Sequence, residues 1–200
     1  MIDLPIQCTC GSVRGTLLDV APSTVQNLVC HCIDCRSTLR HLGRANDLLT
    51  EHGGTAVVHS TPARMQITHG HTHVGLLRLS PKGLLRFYAT CCNTPIASML
   101  DDPRQAFVSI ARCILPSDAD THLGPAVGVR GRSAIGNLRT LDAAHNVPAW
   151  LVARIGWRLA KQRLQGQARP SAFHAADGTC IAVATILTLE QRTAAQHDPR

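Results

Sequence analysis

Three cysteines lie within six residues in the segment CHCIDCR, at Cys30, Cys32 and Cys35. Four of the other six cysteines form two further close pairs, a C-x-C near the N-terminus and an adjacent pair near residue 90. An odd group of three thiols cannot be paired within itself into disulfides, and clustered cysteines at such spacings are typical of metal sites or of catalysis. The cysteine pattern therefore predicts that this chain folds around metal ions.

The rest of the composition is that of a globular domain. Of the 200 residues, 44% are hydrophobic and 16% are charged, which is enough for one main domain with its own core. No apolar run approaches the roughly 20 residues that cross a bilayer, and the N-terminus lacks the basic and apolar regions of a signal peptide. We therefore expect a cytoplasmic protein without a membrane partner, in a reducing compartment where a disulfide framework is not expected.

The formal net charge is +7, which by itself suggests an acidic partner. Seven thiolates around two zinc ions would bring seven negative charges against four positive ones, and the net charge would fall to about +4. The basic residues are also scattered, and aromatic residues make up only 3% of the chain. No nucleic-acid partner is therefore expected, because neither a basic run nor a set of base-stacking side chains is present.

Residues 1–115 show short apolar segments in which apolar and polar residues alternate, for example TAVVHS and HVGLLRLS, separated by Gly, Pro, Ser and Asn. This pattern predicts short strands. One exception follows the first cysteine group, where DCRSTLRHLGRANDLL favours a short helix that starts near Cys35. The predicted fold class is mainly β (α+β), with a zinc-binding β domain of short antiparallel strands over residues 1–115.

The segment 116–200 is predicted to be an irregular connection followed by a helical extension that packs on the β domain. The connection, 116–146, is rich in Gly, Asp and Ser and has no sustained period. After Pro148, apolar residues recur at four-residue steps and predict an amphipathic helix whose two tryptophans contact the core. A second helix is predicted at about 181–194.

The spacing of the cysteines suits chelation. Residues i and i+2 of a strand face the same side, so each C-x-C, Cys8 with Cys10 and Cys30 with Cys32, presents two thiols to one ion. Cys35 follows at a place where a strand can turn into a helix N-terminus, whose free N–H groups stabilise a thiolate. Structural zinc has four protein ligands, whereas catalytic zinc keeps one position for water or substrate. The three-cysteine group is thus either an open site or one end of a closed site.

The adjacent pair Cys91 and Cys92 in FYATCCNTP follows an apolar strand in a turn-like stretch. These two thiols would complete the site of the three-cysteine group or, equally, the site of the N-terminal C-x-C. The sequence leaves both pairings open.

Three motifs in this order resemble the glutathione-dependent formaldehyde-activating enzyme family, which includes centromere protein V. They are C-x-C-G near the N-terminus, C-H-C-x-x-C-R about twenty residues later, and an aromatic strand leading to C-x-T-P. The resemblance covers about residues 5–112. The third motif departs from the family pattern, F-C-x-x-C-G-T-P, because Ala89 stands where its first cysteine belongs.

The resemblance implies a β-rich fold in which two strand layers meet like a tent over a structural zinc. Carried over residue by residue, Cys8, Cys10 and Cys92 are ligands of that zinc. Cys91 is the candidate replacement for the missing fourth ligand, provided that the backbone turns there, because neighbouring residues of a regular strand face opposite ways. Otherwise a water, a histidine or Cys113 would have to serve.

For the second zinc, the resemblance implies an open site at Cys30, Cys32 and Cys35 that takes part in the reaction. The expected function is that of a zinc-dependent carbon–sulfur lyase, which activates a small thiol such as glutathione for addition to an aldehyde such as formaldehyde. Arg36 and Arg40 would face a carboxylate of the anionic thiol. A hydrolase is disfavoured because three thiolates leave zinc a weak Lewis acid.

Two other functions remain open. The chain is alternatively a noncatalytic zinc-stabilised binding module whose C-terminal helices contact a partner, which the altered ATCCNTP segment favours. A redox-sensing thiol cluster is a third possibility, because clustered cysteines of low pKa oxidise readily. The sequence does not specify the oligomeric state.

Overall fold

The computed structural model describes residues 1–197, which form two β-sheets and five α-helices. The strands are β1 Ile2–Gln7, β2 Arg14–Val20, β3 Gln26–Cys30, β4 Thr55–Ser60, β5 Met65–His69, β6 Val74–Arg78, β7 Leu85–Ala89, β8 Thr94–Met99, β9 Val108–Ala111, β10 Val127–Val129 and β11 Ala184–Ile186. The helices are α1 Ile33–His41, α2 Ala45–Leu48, α3 Asp120–Leu123, α4 Ala149–Leu164 and α5 Leu189–Gln196. The predicted fold class, mainly β with C-terminal helices, is confirmed.

The smaller sheet has the strand order β1-β2-β5, and the larger sheet has the order β10-β3-β4-β9-β8-β7-β6-β11. Neighbouring strands are antiparallel except at the two edges of the larger sheet, where β10 runs parallel to β3 and β11 runs parallel to β6. Both edge strands come from the segment 116–200. The C-terminal segment therefore extends the sheet in addition to supplying helices.

The main core lies between the two sheets, because their alternating apolar side chains meet there. Leu17 and Met65 of the smaller sheet and Phe87 and Ile110 of the larger one are buried in it. Phe173, from the segment after α4, stacks on Phe87 with ring centroids 4.1 Å apart. A residue far from the β region is thus part of its core.

The opposite face of the larger sheet is covered by helices. Leu151 of α4 is fully buried against Leu28, Val57 and Val129, and α5 packs against α1. Next to these contacts the face carries polar side chains and borders a cavity under α1. The cavity lining is mostly apolar, and a few polar side chains are set among these apolar residues.

The predicted helices after residue 146 are partly correct. The first is α4, which begins directly after Pro148. Its tryptophans do not contact the core as predicted, since Trp150 is 55% and Trp157 73% exposed. The predicted second helix begins later, at Leu189, because residues 184–186 pair with β6 as an edge strand and Thr188 starts the helix with a capping box.

Within residues 1–197, no helix combines the length and the apolar character that crossing a membrane requires.

Candidate metal centres and the adjoining cavity

Four cysteines from two distant segments bring their sulfur atoms together at one end of the sheets. The Sγ–Sγ distances are 3.5 Å for Cys8 and Cys10, 3.9 Å for Cys8 and Cys91, 3.2 Å for Cys10 and Cys91, and 3.8 Å for Cys91 and Cys92. All four atoms lie within 4.8 Å of one another. A tetrahedral zinc site with Zn–S bonds of about 2.3 Å has sulfur–sulfur edges of about 3.8 Å. The four thiols are therefore positioned to hold a metal ion and are compatible with zinc.

The N-terminal pair reaches this site from a turn rather than from a strand. Strand β1 ends at Gln7, and the chain then turns, with Gly11 in a left-handed conformation at φ +76°. The backbone N–H of Val13 donates to the Cys8 sulfur over 3.2 Å. The strand geometry expected for this C-x-C is wrong, but the turn achieves the same convergence of two thiols.

The adjacent pair Cys91 and Cys92 reaches the site because the backbone turns there, as the sequence required. Residues 90–93 form the turn between β7 and β8, and Asn93 is left-handed at φ +55°. Ala89, at the position of the missing family cysteine, is fully buried in the core. Cys91 thus supplies the fourth sulfur of the cluster.

The buried Thr94 and the half-buried Arg44 hold this turn in place. The Thr94 hydroxyl, fully buried, accepts hydrogen bonds from the Thr9 N–H over 3.1 Å and from Arg44 over 3.1 Å, and lies 3.0 Å from the Cys92 sulfur. The Arg44 guanidinium also donates to the Cys92 carbonyl and to Asp47. These contacts position both cysteines before any ion binds, which is how supporting residues orient metal ligands.

The second cluster contains Cys30, Cys32 and Cys35, whose sulfur atoms also lie within 4.8 Å of one another. Cys30 ends β3, and Cys32 is the N-cap of α1, with the Cys35 N–H donating to its sulfur over 3.4 Å. A sulfur at a helix N-cap is stabilised as a thiolate by the free N–H groups and the helix dipole. The strand-to-helix junction that the sequence predicts here is present, and it forms a cup of three sulfurs.

Hydrogen bonds among the three sulfurs give the three thiols different pKa values. Bonds from Cys30 and then from Cys35 lower the pKa of Cys32 to about 2, and the bond between Cys30 and Cys32 raises the pKa of Cys30 to about 11. The pKa of Cys35 is raised by the same contacts, first by the one to Cys30. Metal ions bind cysteine as the thiolate, so binding of an ion here would release the protons that the three thiols retain.

The three-cysteine cup opens into a cavity of about 490 Å³ between α1 and the larger sheet. A cavity of this size matches the sites that proteins use for small molecules. Cys8, Cys10, Cys91 and Cys92 do not line it. The two clusters therefore differ: one has four sulfurs positioned to surround an ion, and the other has three sulfurs beside a cavity.

The floor of the cavity carries a polar row that crosses four strands. The register pairs Arg86 of β7 with Ser98 of β8, Ser98 with Ser109 of β9, and Ser109 with His59 of β4. All four side chains belong to residues that line the cavity. Sequence reasoning missed this row because only the strand order places these residues side by side.

The structure does not place Arg36 and Arg40 where they could bind a substrate carboxylate in the cavity beside the three-cysteine cup. Arg36 is buried and donates to the Ser133 carbonyl over 2.9 Å, and Arg40 donates to the Gln196 carbonyl over 3.1 Å. Neither residue lines the cavity. The helix spacing from Cys35 did not reveal that both arginines point at neighbouring backbone segments.

Fold and clusters together define a β protein with two separate groups of cysteines positioned to hold metal ions. The chain belongs to the family of unknown function DUF6151, whose model matches residues 2–185. Among solved structures, it is similar to a structural-genomics crystal structure of a Rhodobacter sphaeroides protein. The two share 13% identity and a TM-score of 0.44 over 63% of this chain and all of the other. No curated protein matches the sequence.

Proposed function

We propose that this protein uses zinc to activate a small thiol, such as glutathione, for addition to an aldehyde such as formaldehyde. In this proposal Cys8, Cys10, Cys91 and Cys92 hold a structural zinc, and Cys30, Cys32 and Cys35 hold a second zinc. The observation that carries the proposal is that the three-sulfur cup lines the cavity, whereas the four-sulfur cluster does not.

The ligand sets support these two roles. Structural zinc sites are closed by four protein ligands, and reactive sites keep a position for water or substrate. Thiolate sulfur is a soft ligand that suits zinc. The order of the cysteine motifs, which resembles the formaldehyde-activating family, favours the same division between a structural and a reactive site.

A zinc ion in the cup would supply one effect, the deprotonation and retention of a substrate thiol. The remaining chemistry is an addition without redox change: the S–H bond of the thiol breaks, an S–C bond forms at the carbonyl carbon, and the proton ends on the former carbonyl oxygen. The chain contributes the three sulfurs at the start of α1 and a cavity that holds the two reactants together, which is the entropic advantage of a bound pair.

Metal content separates this proposal from its competitors. We expect two zinc ions per chain by elemental analysis, one after Cys32→Ser, and two after Cys113→Ser. Cys113 is an exposed cysteine outside both clusters, so it serves as the matched control. Both variants should remain folded by circular dichroism.

Activity is tested by NMR with ¹³C-labelled formaldehyde and glutathione, following the rate at which the hydroxymethyl thioether forms. The wild type and Cys113→Ser should accelerate adduct formation, and Cys32→Ser should not. In the cobalt-substituted protein, glutathione should change the absorption spectrum. A spectrum insensitive to thiols together with an uncatalysed rate would refute the proposal and leave the noncatalytic zinc-stabilised binding module.

A further inference from the structure

Arg86 is a buried cation that forms no ion pair with a carboxylate among the described residues. Its side chain is 6% exposed, and within residues 1–197 it makes no hydrogen bond or ion pair to the protein. Its Nε is fully enclosed and has no partner among these residues. Arg78, on the neighbouring strand β6, instead forms an ion pair with Asp101 at 2.7 Å. Arg86 therefore lacks the carboxylate partner that Arg78 has, and its charge acts on the Cys32 sulfur of the cup instead.

Such a group is costly to bury. A guanidinium cannot lose its proton in a protein, so burial does not neutralise it. Removing an unpaired ion from water costs several kcal/mol, and buried charges are accordingly paired in native proteins. Asp34 also lines the cavity, but it forms no ion pair with Arg86. An anion that enters the cavity would supply the missing partner.

The surroundings of Arg86 fit a carboxylate. The adjoining Ser98 and Ser109 add hydroxyl donors along the floor of the cavity. A guanidinium fork matches the two oxygens of a carboxylate with two parallel hydrogen bonds. One buried cation balances the single charge of a carboxylate better than the larger charge of a phosphate. Arg130 and Arg132 also line the cavity, but both are exposed, so they do not add further buried positive charge.

We propose that Arg86 binds a carboxylate of the small molecule that occupies this cavity, so that the substrate is an acidic thiol anchored at its two ends. The sulfur end rests on the proposed function of the three-cysteine cup. The carboxylate end rests on Arg86 alone. The competing explanation is that Arg86 is a counter-ion to the cup, since three thiolates and one divalent ion carry a net charge of −1.

The test compares two thiols of equal chain length on the full-length cobalt-substituted protein. 3-Mercaptopropionate carries a carboxylate, and 3-mercaptopropan-1-ol carries a hydroxyl in its place. Hydrogen bonds between charged groups are stronger than neutral ones, so the wild type should bind the acid roughly 10- to 150-fold more tightly than the alcohol. Arg86→Gln should reduce this preference to less than about threefold, and Arg86→Lys should restore part of it.

Arg104→Gln is the matched control, because it removes the same charge from an exposed position away from the cavity. It should keep the wild-type preference. A preference that survives in Arg86→Gln would overturn the carboxylate assignment. Equal weakening of both thiols, together with a changed cobalt content, would identify Arg86 as the counter-ion of the cup instead.

Calorimetry with propionate, which has no thiol, separates failure of this inference from failure of the proposed function. If neither thiol changes the cobalt spectrum of the wild type, thiol activation is refuted. Propionate binding that Arg86→Gln abolishes would still establish the carboxylate site, and the absence of such binding in the wild type would refute it.

Discussion

His59 on the cavity floor provides a quantitative test of whether water hydrates the side chains of this floor. Its ring packs edge-on against Phe107 at 4.9 Å, and its Nδ1 is enclosed without a hydrogen-bond partner among residues 1–197. Burial, with a smaller contribution from the charge of Arg158, lowers the pKa of His59 from 6.5 to about 4. The imidazole is therefore neutral in the folded protein at pH values where it is charged in the unfolded chain.

The sign of the pH effect follows from proton binding. Between pH 6.5 and pH 4 the unfolded state binds a proton at this residue and the folded state does not, so stability falls as the pH is lowered through this window. At about 1.36 kcal/mol per pKa unit, the loss is about 2 kcal/mol between pH 7 and pH 5, and about 3 kcal/mol by pH 4. At pH 7 and above, the loss of stability from this residue is close to zero, because the imidazole is neutral in both states.

The assay is urea unfolding of the wild type and of His59→Gln at pH 7, 6 and 5. The free energy of unfolding of the wild type should fall by about 2 kcal/mol more than that of the variant over this range. Protonation of the metal-binding thiolates affects both proteins and cancels in the difference. His71→Gln, at an exposed histidine, should follow the wild type. A constant difference between wild type and His59→Gln would show that water hydrates this imidazole.

Three further changes test the closed cluster and the core. Cys92→Ser should remove one zinc per chain and lower the free energy of unfolding in urea by several kcal/mol. The reason is that an ion joining Cys10 to Cys91 closes the long loop between them, which is worth roughly 4–5 kcal/mol in chain entropy. An unchanged free energy of unfolding would contradict a structural role for this zinc. Thr94→Val keeps the shape but leaves the Thr9 N–H without its acceptor and removes one of the acceptors of Arg44. It should cost about 1–3 kcal/mol and speed zinc loss to a chelator, whereas Thr94→Ser should behave as wild type. Phe173→Ala should cost about 3–5 kcal/mol in the same assay because its ring is stacked in the core, and a loss below about 1 kcal/mol would mean that the segment is not part of that core.

The cysteine clusters were predictable because chelation is partly a local property. Cys30, Cys32 and Cys35 lie within one strand-to-helix junction, and short spacing alone brings such residues near one another. The need for a turn at Cys91 and Cys92 was also visible, since adjacent strand residues face opposite sides. The sequence left open whether Cys91 and Cys92 join the N-terminal C-x-C or the three-cysteine group, because that choice depends on which distant strands lie next to each other.

The edge strand β11 and the role of the arginines show the limit of local patterns. Residues 184–186 lie within a segment that was predicted to be helical, and pairing with β6 overrides that local preference. Arg36, close to the cup in sequence, donates to a backbone carbonyl, whereas Arg86 lines the cavity 51 residues after Cys35. Proximity along the chain was therefore a poor guide to the charge that accompanies the cup.

By itself the amino-acid sequence determined the β-rich class of the protein, the helix after the three-cysteine group and the grouping of thiols suited to metal ions. These features follow from periodicity and spacing over a few residues, where chain geometry leaves few choices. Only the tertiary structure decided which cluster contains four sulfurs, that the other cluster borders a cavity, and that Arg86 lines that cavity without an ion pair among residues 1–197. Those properties arise from strand order and register, which depend on the free energy of the whole fold rather than on any single segment.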